Sequence, residues 1–181
     1  MNTTFLITLS MLFLSYLFVT AGCHKLFNRK DLSRTISDYR VLPLAWSRGL
    51  ARLLPIVELA AGTGLLIPFL HTMAAAVVCL LLFSYTTAIA VNIMRGRRDL
   101  DCGCAGPGQE QFVGAGLLVR NGVLFTLALV LVLSPVSPRI PPETIGLSLT
   151  LLATLLSALV YHLFNQLLAN QHKLQRLADH G

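Results

Sequence analysis

The stretch TMAAAVVCLLLFSYTTAIAVNIM, residues 72–94, is a largely apolar run of 23 positions without a charged side chain. As a helix it would be about 34 Å long, enough to cross the roughly 30 Å hydrocarbon core of a bilayer. A strand of a membrane barrel would instead alternate apolar and polar residues over about ten positions. The stretch therefore predicts a transmembrane helix.

Four further apolar runs of similar length flank this stretch, and they are residues 5–22, 49–70, 112–133 and 144–168. The chain of 181 residues is 55% hydrophobic and 12% charged, whereas a soluble domain carries about a quarter charged residues. Backbone polar groups in lipid must bond internally, which favours helices. The sequence predicts an all-α fold, a polytopic transmembrane helical bundle of about five spans, with a four-helix core plus one extra helix. Residues 1–181 would form a single membrane domain.

The segments between the predicted spans differ in composition. Residues 23–48 mix basic with apolar side chains, which predicts a short helix in the membrane interface with snorkelling basic stems. Residues 134–142 contain four prolines and predict an irregular loop. The basic residues behind the net charge of +6 cluster beside the spans, which favours anionic lipid head groups over nucleic acid as the partner.

A polar loop, residues 95–111, separates the third and fourth predicted spans and contains Cys102 and Cys104 on either side of Gly103. A disulfide between these cysteines would close a very small ring that departs from relaxed geometry and stores strain. Strained, exposed disulfides have more oxidising potentials and tend to be catalytic. The pair is therefore predicted to exchange disulfides, as in a thiol-disulfide oxidoreductase. Cys23, at the same membrane edge, is a candidate third thiol.

Two other interpretations of the cysteine pair stay open. Its thiolates could bind a soft metal ion, for which Cys23 and His24 would complete a four-ligand set. The pair could also be structural or inert. We favour redox exchange and assign no metal, because a strained pair suits exchange better than structure.

Polar side chains also occur inside the predicted spans. Glu58 and Arg120 each lie about 12–14 Å deep from the cysteine side. Charges at that depth usually face the bundle interior and pair, so we expect a Glu58–Arg120 ion pair. Other polar residues toward the same side hint at a polar cavity under the cysteine loop, and they are His24, Arg52, Asn92, Asn121, His162 and Asn165. A quinone would fit such a cavity, although no sequence signal identifies a cofactor.

Four short motifs together resemble a known family. They are AGCHKL at residues 21–26, PIVELAAG at 55–62, RGR at 95–97 and DCGCAG at 101–106. The pattern is similar to that of the methylamine utilization protein MauE family, within the DoxX-like membrane proteins. The resemblance covers nearly the whole chain, and the CGC loop after the Arg-Gly turn is its most specific part.

The resemblance implies a bacterial inner-membrane protein that helps to mature the small, disulfide-rich β subunit of methylamine dehydrogenase in the periplasm. It implies a thioredoxin-like partner and an electron-carrying membrane partner, with Cys102, Cys104 and Glu58 as site residues. A periplasmic client requires the cysteine loop to face the periplasm. The positive-inside rule places the loop in the cytoplasm instead, because most basic residues share its side. We favour the periplasm, where a labile disulfide is more useful.

Two functions of other classes stay open at this point. The chain could be a non-catalytic membrane scaffold or chaperone that docks the client and its redox partners. It could also be a small-solute transporter that uses Glu58 and Arg120, although many transporters carry an internal repeat and none is evident here.

Overall fold

The computed structural model of the protein describes residues 3–41, 43–97, 114–134 and 144–179. All regular structure in these residues is helical, which confirms the predicted all-α fold. The helices are α1 (Thr3–Phe27), α2 (Arg29–Asp38), α3 (Leu44–Gly64), α4 (His71–Met94), α5 (Ala115–Leu133) and α6 (Thr144–Asp179).

Four of these helices are long and apolar enough to cross a membrane: α1, α4, α5 and the part of α6 at Gly146–Asn170. Helix α3 covers most of the second predicted span but is not among the four. It carries Arg48, Arg52 and Glu58 and ends at Gly64, six residues before the predicted end of the span. The helical membrane bundle is thus confirmed, while the fifth crossing stays a prediction.

Each long helix runs antiparallel to the next long helix in the chain, because the contacting residue numbers rise along one helix while they fall along the other. Between α1 and α3, Gly22 lies beside Leu59 and Val19 beside Gly62, and between α3 and α4, Glu58 contacts Tyr85 and Gly64 lies beside Ala74. Between α4 and α5, Phe83 contacts Phe125, and Ile89 shares a cluster with Leu117. Between α5 and α6, Gly116 lies beside Leu168 and Arg120 bonds to Asn165. One end of the bundle therefore collects the last turn of α1, the start of α3, the end of α4, the start of α5 and the later part of α6. We call it the loop end, since Arg97 and Gly114, which flank the cysteine segment, lie there.

Two glycines bring α1 and α3 unusually close together. A Cβ atom built on Gly22 would lie 2.8 Å from Leu59 Cγ and 3.1 Å from the Pro55 carbonyl oxygen, and one on Gly62 would lie 3.0 Å from the Val19 amide nitrogen. The Ser15 hydroxyl also donates to the Gly62 carbonyl at 2.8 Å. Small residues allow such close backbone approach in membrane helices. The two helices are therefore fixed in one register.

Helix α2 forms within the first predicted loop and covers part of the loop end. Leu32 on α2 is buried, and Tyr39, just after the helix, packs in one cluster with Ile89 of α4 and Leu117 of α5. The apolar side of this segment thus contacts the protein itself, while its charged side chains are exposed.

Helix α6 is the most peripheral of the long helices. Leu155, Leu159 and Leu167 are each more than half exposed, whereas core residues such as Leu14 and Val78 are fully buried. A membrane helix satisfies its backbone hydrogen bonds internally and can leave such leucines facing lipid. The exposed face of α6 is therefore expected to contact acyl chains.

Candidate functional site

A buried carboxylate on α3 joins three helices. Glu58 is 1% exposed, and its Oε1 accepts hydrogen bonds from Lys25 Nζ of α1 and from the Tyr85 hydroxyl of α4, each at 2.5 Å. Lys25 Nζ also lies 4.8 Å from the centroid of the Tyr85 ring, a cation–π contact. The ammonium, the phenol and the carboxylate form a single polar cluster, which we call the Glu58 cluster.

The partner of Glu58 differs from the sequence prediction, which was Arg120. The predicted depths of Glu58 and Arg120 did not establish which helices face each other: α3 packs between α1 and α4, whereas Arg120 on α5 bonds toward α6. Lys25 was assigned to a loop because the first span was expected to end at Gly22. Helix α1 continues to Phe27 and carries Lys25 into the bundle.

The second carboxylate oxygen, Glu58 Oε2, is buried and accepts no hydrogen bond from the described part of the chain. Both donors converge on Oε1 instead. Buried polar atoms in proteins are nearly always hydrogen-bonded, so an acceptor of this kind marks a position that can take one more donor. An internal water supplies such a donor in many proteins.

Arg120 is the centre of a second polar contact. The residue is 6% exposed, and its guanidinium donates from Nη1 to Asn165 Oδ1 at 3.0 Å, and from Nε and Nη2 to Asn121 Oδ1 at 3.3 and 3.1 Å. Its Cζ also lies 5.8 Å from the Tyr161 ring centroid. Arg120 thus links α5 to α6 through side-chain amides.

Of the residues predicted to share a polar cavity, Asn121 and Asn165 meet at Arg120, whereas His24, Asn92 and His162 lie in local contacts elsewhere. Asn28 Nδ2 and His24 Nε2 are 3.1 Å apart on one face at the end of α1, and Asn92 Nδ2 donates to the Ala88 carbonyl within α4. His162 is exposed, with its Nε2 3.1 Å from the Tyr16 hydroxyl. Asn121 belongs to the Arg120 contact described above. Quinone binding stays a prediction and is not part of the proposed function.

A groove of about 250 Å³ does open between α3 and α4, but its lining is apolar. Val57, Ala61 and Gly64 of α3 face Met73, Ala74 and Val77 of α4 across it. This lining offers dispersion contacts and no polar group that would orient a cofactor.

The cysteines divide between the described and the undescribed parts of the chain. Cys102 and Cys104 lie outside the described residues. Cys23 is exposed near the end of α1, and Cys79 is partly buried within α4. Cys23 therefore lies at the loop end, together with Arg97 and Gly114 on either side of the cysteine segment.

Comparison with known proteins gives one consistent result. The family model of methylamine utilisation protein MauE matches residues 2–134, which include Cys23, Glu58, the cysteine loop and Arg120. The methylamine utilization protein MauE of Paracoccus denitrificans is 41% identical over 118 residues, 65% of this chain and 63% of that protein. The match thus spans somewhat less than two thirds of the Paracoccus relative. The protein of the same name from Methylophilus methylotrophus is 31% identical over 169 residues, 91% of this chain and 88% of that protein. No solved structure matches the chain.

Proposed function

Because this chain belongs to the methylamine utilisation protein MauE family, we propose that it is a membrane thiol-disulfide exchange factor. Its client would be the disulfide-rich β subunit of methylamine dehydrogenase, and its reactive groups would be Cys102 and Cys104. Membership of the family ties the chain to methylamine utilisation, and the four apolar helices tie it to a membrane. The thiol chemistry and the client are the proposed steps.

One observation carries the proposal. Three of the four cysteines in the chain belong to the loop end or to the segment that starts and finishes there: Cys23 at the end of α1, and Cys102 and Cys104 between Arg97 and Gly114. Disulfide exchange needs thiols that a partner can reach, and exposed polar surroundings favour the reactive thiolate. Cys79, within α4, is packed against the apolar core.

The proposed exchange balances as two thiol–disulfide steps. A client thiolate attacks one sulfur of the Cys102–Cys104 disulfide, so that a mixed disulfide forms and the other cysteine leaves as a thiolate. A second client thiolate then attacks the mixed disulfide, which completes the client disulfide and leaves Cys102 and Cys104 reduced. Two electrons have moved from client to pair. An electron-carrying membrane protein must accept them before the next cycle, and a thioredoxin-like partner would pass disulfides on.

We place the loop end at the periplasmic face of the inner membrane, where the client is assembled. The charge count of the first loop opposes this orientation, since residues 23–48 contain six basic side chains. One of the six, Lys25, is buried and paired with Glu58, so five remain to contact head groups. Fewer basic side chains therefore oppose a periplasmic loop end, although the positive-inside rule still favours the cytoplasm.

The proposal is tested by the disulfide state of the client in cells that carry single and double alanine variants. Cys102→Ala, Cys104→Ala and the double variant should each leave the β subunit with free thiols in a mass-tag maleimide assay and abolish methylamine dehydrogenase activity. Cys79→Ala is the matched control, because Cys79 packs inside α4, and it should leave both readouts unchanged. Normal client oxidation in the double variant would contradict exchange and favour a scaffold. Transport is not proposed, since its expected Glu58–Arg120 pair does not form.

A further inference from the structure

The surface where α1 passes into α3 at the loop end is strongly basic. Residues 28–48 contain five basic and two acidic side chains, a formal charge of +3, and Arg95 at the end of α4 adds a further positive charge. The basic side chains on this surface are all exposed, and they are Arg29, Lys30, Arg34, Arg40, Arg48 and Arg95. We call this set the basic corner.

Arg40 has an unusual backbone at the centre of this corner. Its φ of +47° places it in the left-handed region just after α2, a position that helices usually fill with glycine because a Cβ atom is strained there. Its side chain is exposed, so packing inside the protein does not explain why a large residue occupies the position. Backbone strain that is retained without a packing reason is a recurrent feature of functional positions.

The same residue is joined to the start of the cysteine segment. Arg95 Nη1 donates to the Arg40 carbonyl at 3.1 Å, which brings a second arginine to the corner. The hydrogen bond holds the Arg95 guanidinium against the backbone of Arg40, so two positively charged residues are neighbours at the surface. An anion close to both would lower the electrostatic energy of this arrangement. Guanidinium groups bind both phosphate and carboxylate oxygens in two-pronged geometry, so either anion suits arginines at this position.

Large apolar side chains flank the basic corner. Phe27, at the end of α1, is 87% exposed, and Trp46, in the first turn of α3, is 65% exposed. Tryptophan prefers the boundary between hydrocarbon and head groups, and basic residues beside a span attract anionic lipids. An acidic protein partner would account for the charges but not for two exposed aromatic rings at the ends of helices packed in a membrane bundle.

We propose that the basic corner binds the phosphate of an anionic phospholipid, with Arg40 and Arg95 as its main contacts and Phe27 and Trp46 beside the upper acyl chains. This site is independent of the proposed disulfide exchange. Because Arg95 lies two residues before Arg97, a bound lipid would also fix the point at which the cysteine segment leaves α4.

Native mass spectrometry of the full chain in detergent tests the site, with dioctanoyl phosphatidylglycerol as the probe and dioctanoyl phosphatidylcholine as the neutral reference. The chain should bind phosphatidylglycerol more tightly than phosphatidylcholine. Arg40→Gly relieves the strained backbone while it removes the charge, so it should stay folded and weaken phosphatidylglycerol binding about five-fold. Arg40→Lys keeps the charge but loses the two-pronged geometry, so it should weaken binding less than Arg40→Gly does.

Arg34→Gln is the matched control, because Arg34 is an exposed arginine on α2 outside the Arg40–Arg95 contact, and it should leave the affinity unchanged. Equal losses of phosphatidylglycerol affinity in Arg40→Gly and Arg34→Gln would overturn the site. They would indicate a nonspecific attraction between all the basic side chains and the lipid. Equal affinity for the two lipids would also overturn it. Binding of inorganic phosphate as tight as that of the lipid would exclude a lipid ligand, and tighter binding of a hexaglutamate peptide would indicate a protein partner instead.

Discussion

Lys25 and Glu58 form a buried ion pair between α1 and α3, with 2.5 Å between Nζ and Oε1 and side chains that are 6% and 1% exposed. Each charge would be costly alone at this depth, and the pair is the arrangement that a membrane bundle tolerates. The Tyr85 hydroxyl adds α4 to the same oxygen. One carboxylate oxygen therefore links the helix that carries Cys23 to the helix that leads into the cysteine segment.

Breaking this pair from one side should destabilise the protein strongly. Glu58→Gln removes the Glu58 charge that faces the buried Lys25 ammonium, and we expect a loss of about 3 kcal/mol in the free energy of unfolding. The double variant Lys25→Met with Glu58→Gln should recover much of that loss, because neither charge of this pair is then left buried. Denaturant unfolding in detergent, followed by circular dichroism, measures both.

The exposed pair on α2 supplies the control for this comparison. Arg34 and Asp31 are 3.9 Å apart and largely exposed, so Asp31→Asn should have no measurable effect on unfolding. A Glu58→Gln variant as stable as the unmodified chain would show that the Lys25–Glu58 pair does not hold α1 against α3.

The Tyr85 hydroxyl should make a smaller contribution than the ion pair. Tyr85→Phe keeps the ring against Lys25 but removes one donor to the Glu58 carboxylate, and hydrogen bonds to charged groups are worth about 2 kcal/mol. The same unfolding measurement applies. Tyr16→Phe is the control, because its hydroxyl contacts exposed His162, and it should cost clearly less. Equal costs for the two variants would argue against the Glu58 cluster as a distinct stabilising site.

The close packing of α1 on α3 should depend on its glycines. Gly22→Ala and Gly62→Ala place a methyl group within about 3 Å of backbone atoms across the interface, and overpacking of this kind typically costs about 1–3 kcal/mol. Gly49→Ala and Gly122→Ala are matched controls, since nothing lies within 4 Å of a Cβ atom at either position. The controls should be neutral or slightly stabilising in a helix. Thermal unfolding in detergent ranks the four, and a ranking without a gap between the pairs would contradict the packing argument.

The orientation of the loop end can be read from a cysteine introduced at Arg34, which is exposed on α2 and lies outside the candidate spans. In a variant that carries Arg34→Cys and alanine in place of all four natural cysteines, a membrane-impermeant maleimide should label intact spheroplasts. That result agrees with a periplasmic loop end. Labelling only after lysis would place the loop end in the cytoplasm, as the positive-inside rule predicts.

The sequence predicted the fold well because continuous apolar runs leave few alternatives to membrane helices. The runs at residues 72–94 and 112–133 correspond closely to α4 and α5. Boundaries were less accurate where polar residues continue a helix: α1 extends past Gly22 to Phe27, and α3 ends at Gly64. Hydropathy predicts which residues can lie in lipid, whereas the hydrogen bonds of the backbone determine where each helix ends.

The candidate site was predicted only in part, since pairing depends on which helices touch. The depth of Glu58 was informative, but no periodicity in the sequence indicated that α3 packs between α1 and α4. The small residues did carry a usable signal, because Gly22 and Gly62 allow α1 and α3 to approach closely. Lys25, three residues after Gly22, then lies near Glu58, four residues before Gly62. Nothing in the sequence indicated the role of Tyr85, because a single tyrosine in an apolar run is usually a packing residue of the helix bundle.

The measurement that tests disulfide exchange most directly is the trapping of a mixed disulfide between this chain and the β subunit. The chain keeps its Cys102–Cys104 disulfide in this experiment, and one cysteine of a client disulfide is replaced with alanine. The remaining client thiolate can then attack the pair, but no second client thiolate is present to complete the exchange. We predict that acid-quenched membranes contain a reducible conjugate whose peptide map joins Cys102 or Cys104 to that client cysteine. A conjugate absent for every such client variant, with the unmodified client still correctly oxidised, would contradict the proposed exchange.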